Sequence, residues 1–524
     1  MSRTHLLKSV GLMMFAALIG KAILIIREPI IAAYFGTSAQ TDAYNVAMTI
    51  VTMLLGVTVL PIETILVPVY VERLHKSRQE GERFIGQTLT VYLLILSSVL
   101  LMARLAAPGL VHLYAPGFAP ETAALAVHLT RILGLFAVAS GLAGYFIVIL
   151  TAHQEFFWVA LGPIVAATLV IVVLLVAAPG LGIDALAWGM VAGNVAQMIC
   201  LGLSIRRRTV RLALGFHLGE TIHALGKLSG WMLAGRFIGQ GNDLIDRNML
   251  SYLSEGSIAA LGFARSIYLL PFEIFTTGIT RVIIADFSWD LARGDVRALV
   301  QDLSLVIRMA AFFLIPTTAG LVVLRVPIVQ VLYQRGAFNE AATRATAVTL
   351  LFLSLGLYFR ALNFIGGRVF IARQRLLVPT VIGVVALATH VGLNVALVPR
   401  WQSAGVALSL TLTELIGAML YLGKVRWELG PLGGRRILAS LVKMGIAAGA
   451  MMASLMPLNG ILCMPTWSSL TRFGLLLLTV LLGVAIYGGI LYLLRMEELR
   501  IALRMGRDFV QRQISWPIPG DQVR

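Results

Sequence analysis

Ionisable side chains are scarce in this sequence. Those inside its apolar stretches are the ones whose types and spacing could do chemistry. The first stretch carries Lys21, Arg27 and Glu28. Lys21 and Glu28 lie seven apart, on one face of a helix, with Arg27 to the side. Asp42 opens the second stretch, where Glu63 follows Pro61 and Pro68 lies beyond. A helix broken beside a carboxylate can line a cavity. In the seventh stretch Arg236, Gln240, Asp243 and Arg247 recur at helical spacing down one face, flanked by Asp246. Arg265, Glu273 and Arg281 follow in the eighth, Arg308 in the ninth, and Arg360 and Arg368 in the tenth. Such groups are costly in a membrane, so they face a bundle interior or a water-filled cavity. Basic groups outnumber acidic ones in this set, and a cavity built from them attracts an anion. Arg grips phosphate through paired hydrogen bonds, Lys as a point charge.

Each group also has a structural reading. Asp42 suits a helix start, as an N-cap or first-turn carboxylate. Arg27 and Glu28 can neutralise each other, and the seventh-stretch stripe can be an internal salt-bridge ladder. Arg281 and Arg308 can run their heads out to the interface along apolar stems.

The elements that position these groups are transmembrane helices. Of 524 residues, 58% are hydrophobic and 13% charged, against about 25% charged in a soluble domain; the mean hydropathy is +0.88. Too little polar surface remains to cover such a chain in water, so lipid is the solvent for much of it. A spanning helix needs roughly 20 apolar residues. About fourteen segments qualify, over residues 6–36, 43–71, 84–107, 122–151, 156–178, 184–205, 219–253, 257–289, 297–333, 341–371, 376–398, 402–424, 436–457 and 470–494. The first reads as a retained helix and not as a cleaved signal.

The net charge of +17 follows from basic cytoplasmic loops and points to no nucleic acid. Arg73, Lys76, Arg78 and Arg83 fall in one loop, Arg206, Arg207, Arg208 and Arg211 in another, and Lys424, Arg426, Arg435 and Arg436 in a third. The intervening loops 36–41, 115–120, 179–182 and 254–256 carry no Lys or Arg, with Arg335, Arg344 and Arg400 as exceptions in other intervening loops. This alternation places both termini in the cytoplasm, which an even helix count satisfies. The basic, amphipathic stretch 496–513 is expected on the anionic leaflet, or as a frayed tail.

An offset of about 220 residues relates two parts of the chain. Residues 115–124, APGFAPETAA, resemble 334–342, QRGAFNEAA; 150–154, LTAHQ, resemble 370–374, FIARQ; and 182–188, GIDALAW, resemble 402–408, QSAGVAL. The offset spans six helices, so the repeats are parallel, and transporters of this build bind substrate between their halves. The expected organisation is an all-α membrane protein with an N-lobe over 1–215, a C-lobe over 216–430, two extra helices over 431–495 and a tail over 496–524.

Motifs for other chemistry are missing. No Walker loop supports direct ATP drive, and no Gly-x-Ser-x-Gly nucleophile motif occurs. His-x-x-x-His and Cys-x-x-Cys spacings are absent as well. Cys200 and Cys463 lie far apart in the topology and offer no disulfide framework.

Residues 20–36, GKAILIIREPIIAAYFG, with Thr41-Asp-Ala-Tyr44, resemble the N-terminal signature of the MurJ/MviN lipid II flippase family, within the multidrug/oligosaccharidyl-lipid/polysaccharide exporter superfamily. Val67-Pro68, residues 262–271 (GFARSIYLLP) and 331–338 (VLYQRGAF) are similar to that family too. The resemblance covers essentially the whole chain. It implies two six-helix lobes around a cationic cavity, plus two C-terminal helices forming a groove for a lipid tail. The implied activity is no enzyme's: it is the flipping of an undecaprenyl-diphosphate-linked sugar from the cytoplasmic to the periplasmic leaflet by alternating access.

By that resemblance Lys21, Arg27 and Asp42 match cavity and gate positions. The other intramembrane charges add Glu28, Arg236, Arg247, Arg265 and Arg360 as cavity candidates, and Glu63, Asp243 and Asp246 as gating or coupling candidates. Some members hold a cation at helices 7, 11 and 12. This makes Asp243, Asp246, Asn394 and Thr411 candidate ligands for a coupling cation, sodium or proton, with no other cofactor. Membrane lipids and cell-envelope synthesis enzymes are the expected partners.

The chain departs from the family where Lys21 replaces an Arg, where 51–56 (VTMLLG) lacks one, at Pro61-Ile-Glu63, and where Arg265 is displaced by one residue. A shift of one residue turns a side chain by about 100°. These departures leave room for another polyprenyl-linked glycan, such as an exopolysaccharide repeat unit. Other readings are a cation-coupled exporter of small organic ions, which calls for a carboxylate-rich aromatic cavity, and a non-transporting scaffold for a glycan-synthesis complex. A glycan polymerase calls for a large periplasmic loop, and these loops are too short.

Overall fold

A computed structural model describes residues 20, 23, 26–58, 60–207, 239–293, 295–375, 377–464 and 467–514. Among the described residues there is no strand. Residues 26–35 and 239–251 are helical. The other helices are α1 (Ala39–Thr58), α2 (Leu60–Lys76), α3 (Arg78–Leu105), α4 (Ala107–Tyr114), α5 (Pro120–Ala152), α6 (Phe156–Leu181), α7 (Asp184–Arg207) and α8 (Ser257–Arg293). They continue with α9 (Val296–Val323), α10 (Arg325–Tyr333), α11 (Glu340–Leu355), α12 (Leu357–Ala372), α13 (Leu377–Leu429), α14 (Gly434–Leu462), α15 (Ser469–Leu493) and α16 (Glu497–Ile514).

Among the described residues, nine helices are long and apolar enough to cross a membrane; the pair α11 and α12, bent by 44°, makes a tenth span. This is an all-α integral membrane protein. The 53-residue α13 contains two of the expected segments, separated at Gln402, whose φ of 51° and ψ of −133° are not helical. Of the other expected segments, 43–71 is shared by α1 and α2, while 6–36 and 219–253 lie partly outside the described residues. Pro61 falls in the first turn of α2, where a missing N–H costs nothing, and Pro68 sits inside it.

Local chemistry sets the helix ends. Ser77 caps α3 by accepting from the Glu80 N–H, Asp295 caps α9 through Ala298, and Ser468 caps α15 through Thr471. At the end of α5 the Glu155 N–H donates to the Leu150 carbonyl and the Gln154 N–H to that of Thr151. The end of α12 repeats this pattern, Arg375 to Phe370 and Gln374 to Ile371. Both are Schellman closures. Gly182 and Gln402 also share a positive φ, 57° and 51°, at the same offset of about 220 residues. The repeat read from the sequence thus reappears in the backbone.

By contact the chain forms two units. The first takes in residues 1–263, 332–346 and 387–406. Its core lies around α5, which packs on α1, α3 and α7. Two buried hydroxyls there are satisfied: Tyr145 donates to the Ile85 carbonyl at 2.7 Å and Tyr92 to that of Gly141 at 3.1 Å. The second unit takes in 264–331, 347–386 and 407–524. In it α9 packs on α14, and Met444, Ala447, Leu455 and Leu491 are buried together with Ala311 and Val323. Meanwhile Leu470, Leu493 and Tyr492 on α15 stay largely exposed. A helix that apolar on its outer face has hydrocarbon as its solvent.

Candidate functional site

Lys21 and Arg236 lie outside the described residues, as does the side chain of Glu63. The other candidates gather into four groups, three in the first unit and one in the second.

Arg27 and Glu28 are paired, Nη2 to Oε1, at 2.8 Å, with side chains 21% and 25% exposed. Nη1 of Arg27 lies 3.8 Å from the Met190 sulfur of α7. Its buried Nε has no hydrogen-bond partner among the described residues. The pair is self-neutralising, as one reading allowed, yet it keeps a donor nitrogen unspent.

Asp42 is buried in the first turn of α1. Its two oxygens accept from the N–H groups of Gly256 and Ala259, each at 2.7 Å. The carboxylate therefore satisfies orphan amides at the start of α8, where the helix dipole also favours a negative charge. Asp42 is a first-turn carboxylate of α1, as one reading held, but its oxygens cap a helix more than 200 residues away and not its own.

The backbone closes tightly around this carboxylate. The Ala337 N–H donates to the Ala33 carbonyl at 2.8 Å. Gly256 has a φ of +83°, and a Cβ there would stand 2.4 Å from the Thr37 carbonyl oxygen. Gly336, at φ +56°, would bring a Cβ within 2.3 Å of the Ala33 oxygen. Only glycine fits either place. Arg247 reaches the same region, with Nε 3.3 Å from Thr49 Oγ1 of α1 and Nη1 3.5 Å from the Ile258 carbonyl.

The adjacent residue on helix 239–251, Asp246, is buried against His390 of α13, Oδ1 to Nε2 at 2.7 Å. The Asn394 amide lies 3.0 Å from the same ring nitrogen. Asp243 interacts electrostatically with Tyr114 of α4. Asp246 and Asn394 thus come together, as the cation reading expected, but the imidazole is between them. Sequence reasoning passed over His390, which sits inside an apolar helix like the charges it did collect.

The second unit holds a pocket lined by Arg265, Tyr268, Leu353, Arg360, Leu410, Thr411 and Glu414. Arg360 donates to Glu414 Oε1 at 3.0 Å, Asn363 donates to Oε2, and the guanidinium lies 5.1 Å over the Phe272 ring. Buried Arg360 Nε has no hydrogen-bond partner among the described residues. Two arginines on one pocket fit an anion, with Glu414 as internal counter-ion. Thr411 belongs to this pocket, and its hydroxyl donates to the Phe352 carbonyl at 2.6 Å. Glu414 was legible by the rule that selected the other intramembrane charges and was overlooked.

Arg308 is not a snorkelling residue. It is 4% exposed and donates to Glu497 Oε2 at 3.0 Å and Glu498 Oε1 at 2.5 Å, on the first turn of α16. Arg436 also holds Glu497, and Ser440 holds Glu498. Among the described residues the tail is therefore a helix, Glu497–Ile514, pinned at its first turn, where fraying was one expectation.

The family model described as Lipid II flippase MurJ matches residues 31–478. A probable lipid II flippase MurJ of Rhizobium meliloti is 26% identical over 448 residues, covering 82% of each chain. One from Rickettsia prowazekii is 22% identical, covering 94% of this chain and 98% of the relative. A lipid II flippase MurJ solved in an inward closed conformation matches with a TM-score of 0.75 at 23% identity, over 92% of this chain and 99% of that one. An inward-facing multidrug resistance MATE transporter of the MOP superfamily matches at 0.67 and 14% identity, over 79% and 98%.

Proposed function

The chain belongs to the lipid II flippase MurJ family, and on that premise we propose that it carries an undecaprenyl-diphosphate-linked sugar, lipid II or a related lipid-linked glycan, from the cytoplasmic to the periplasmic leaflet. The family match over residues 31–478 carries this reading. The chain is then a transporter and not an enzyme, a multi-pass protein of the bacterial inner membrane with both termini in the cytoplasm.

Alternating access exposes a cationic site first to one face and then to the other, while the polyprenyl tail stays in the bilayer. Each unit offers described arginines to an anionic headgroup, Arg27 and Arg247 in the first and Arg265 and Arg360 in the second. The unspent donors on Arg27 and Arg360 support the assignment, since a guanidinium gives phosphate oxygens strong, directional hydrogen bonds. Asp42 and its ring of backbone contacts serve as a gate. Helices α14 and α15 hold the lipid tail, in keeping with the apolar side chains that α15 leaves exposed. No covalent step is required. Membrane potential resets the empty carrier, because moving one charge through 100 mV is worth about 2.3 kcal/mol.

The test is flipping in proteoliposomes of purified protein, using labelled lipid II and simpler undecaprenyl-diphosphate sugars under an imposed potential. Wild type should flip at least one of them. Arg27→Ala should lose about tenfold or more, the worth of a charge-assisted hydrogen bond. Folded wild type that moves none of these lipids would overturn the proposal.

A further inference from the structure

We infer that the ring N–H of His390 occupies the place between Asp246 and Asn394 that a coupling metal cation would need, so that this chain works without sodium. The transport arm of this inference rests on the flippase reading; the binding arm does not.

The three side chains are shut away together. His390 and Asn394 are fully buried and Asp246 is 1% exposed. His390 Nε2 lies 2.7 Å from Asp246 Oδ1 and 3.0 Å from the terminal amide of Asn394. A single ring nitrogen cannot both donate to the carboxylate and accept from an amide N–H. The arrangement closes when the amide oxygen faces the ring, an orientation chosen by the hydrogen-bond network. One N–H then lies between two oxygens, where a metal would otherwise draw on both.

Sodium, as a hard cation, needs several oxygens converging on one empty space. Here a hydrogen-bond donor points into that space, and its positive end repels a cation. As placed, Asn394 turns its nitrogen to the ring, and Asp246 Oδ2 and Asn394 Oδ1 are both without a hydrogen-bond partner among the described residues. Turning the amide over engages Oδ1 with the ring N–H and leaves Oδ2 alone, and one oxygen makes no cage. A buried carboxylate must have a partner, and in this chain the fold supplies it covalently, as a side chain, so nothing exchangeable is required.

Substitution should reverse the property. In His390→Asn the N–H is lost, room opens, and a carbonyl oxygen is added beside Asp246 and Asn394. Thermal unfolding in detergent would be followed in sodium chloride, potassium chloride and choline chloride at equal ionic strength. Wild type should unfold at the same temperature in all three. His390→Asn should gain about 2 °C in sodium alone, as a weakly bound ligand gives, and should lose that gain when Asp246→Asn is added. Sodium-specific stabilisation of the wild type overturns the inference, as does a folded His390→Asn protein indifferent to sodium. Should that variant not fold, His390→Ser, which also leaves an oxygen and a space, carries the same arm. Wild-type flipping should be equal in sodium and choline media. Flipping that requires sodium contradicts the inference, whereas no flipping in either medium sinks the flippase reading and leaves the binding result to stand.

Discussion

Gln154 and Gln374 hold the same left-handed backbone, φ +60° and +58°, each as the second residue past the end of a helix whose last carbonyls it helps to satisfy. They lie about 220 residues apart, at corresponding points of the repeat. A side chain larger than hydrogen is strained in this region by about 1 kcal/mol or more. Gln154→Gly and Gln374→Gly should each therefore raise the unfolding temperature by a degree or so, with flipping unchanged. A lower unfolding temperature for both would show that the glutamine side chains contribute more than the backbone strain costs.

Asp42→Ala should destabilise the protein by about 1–2 kcal/mol, the usual worth of a lost cap. Asp42→Asn should cost less, because one amide oxygen can still accept from Gly256 or Ala259. Denaturation in detergent ranks the two, and equal losses would contradict the capping account.

Gly256→Ala and Gly336→Ala meet backbone oxygens at 2.4 and 2.3 Å, well inside contact distance, at backbone angles alanine avoids. Each should cost more than about 2 kcal/mol. Gly474→Ala on α15 meets nothing within 4 Å, and alanine favours a helix by about 1 kcal/mol. It is the control, expected to be neutral or stabilising. Expression level and unfolding temperature together check the contrast.

The Glu497 carboxyl is held below its ordinary value, first by the hydrogen bond from Arg308 and then by Arg436, against the opposing effect of burial. A carboxyl depressed in the folded state stabilises fully above its unfolded pKa of about 4.3 and loses that contribution as pH falls through the folded value. Docking of α16 should thus be insensitive to pH from neutrality down to about 5 and loosen only in more acid solution. Hydrogen exchange along α16 reads this directly; loosening near pH 6 would contradict it. Arg308→Ala strands the buried Glu498 and should release α16 at neutral pH, at a cost of about 3–5 kcal/mol.

Much of this was legible in the sequence, and what was not has a common physical cause. Hydropathy located the helices, since a membrane span reports itself over some twenty neighbours. The repeat was legible at 150–154 and 370–374 because a Schellman closure is a local event. Partnership across long separations was not. Arg308 has the pattern of a snorkelling arginine, and only the fold brings it Glu497 and Glu498. Asp42 resembles a cap for the helix it opens, and nothing local says that its oxygens serve Gly256 and Ala259. Histidine is not counted with Asp, Glu, Lys and Arg, so a search for those residues steps over His390, though burial against Asp246 makes it as consequential as its partner.

The contacts around Gly256 and Gly336 are made by main-chain atoms. Their strength cannot be graded by trading one side chain for another: the glycine either remains and the fit persists, or it goes and the fit is lost. Glu255 and Arg335 flank these two glycines, beside Asp42 and the approach of Arg247, but the close approaches themselves are made by main-chain atoms. On the gating reading proposed above, the hold of this seam is set by main-chain fit at Gly256 and Gly336, and so by the absence of side chains.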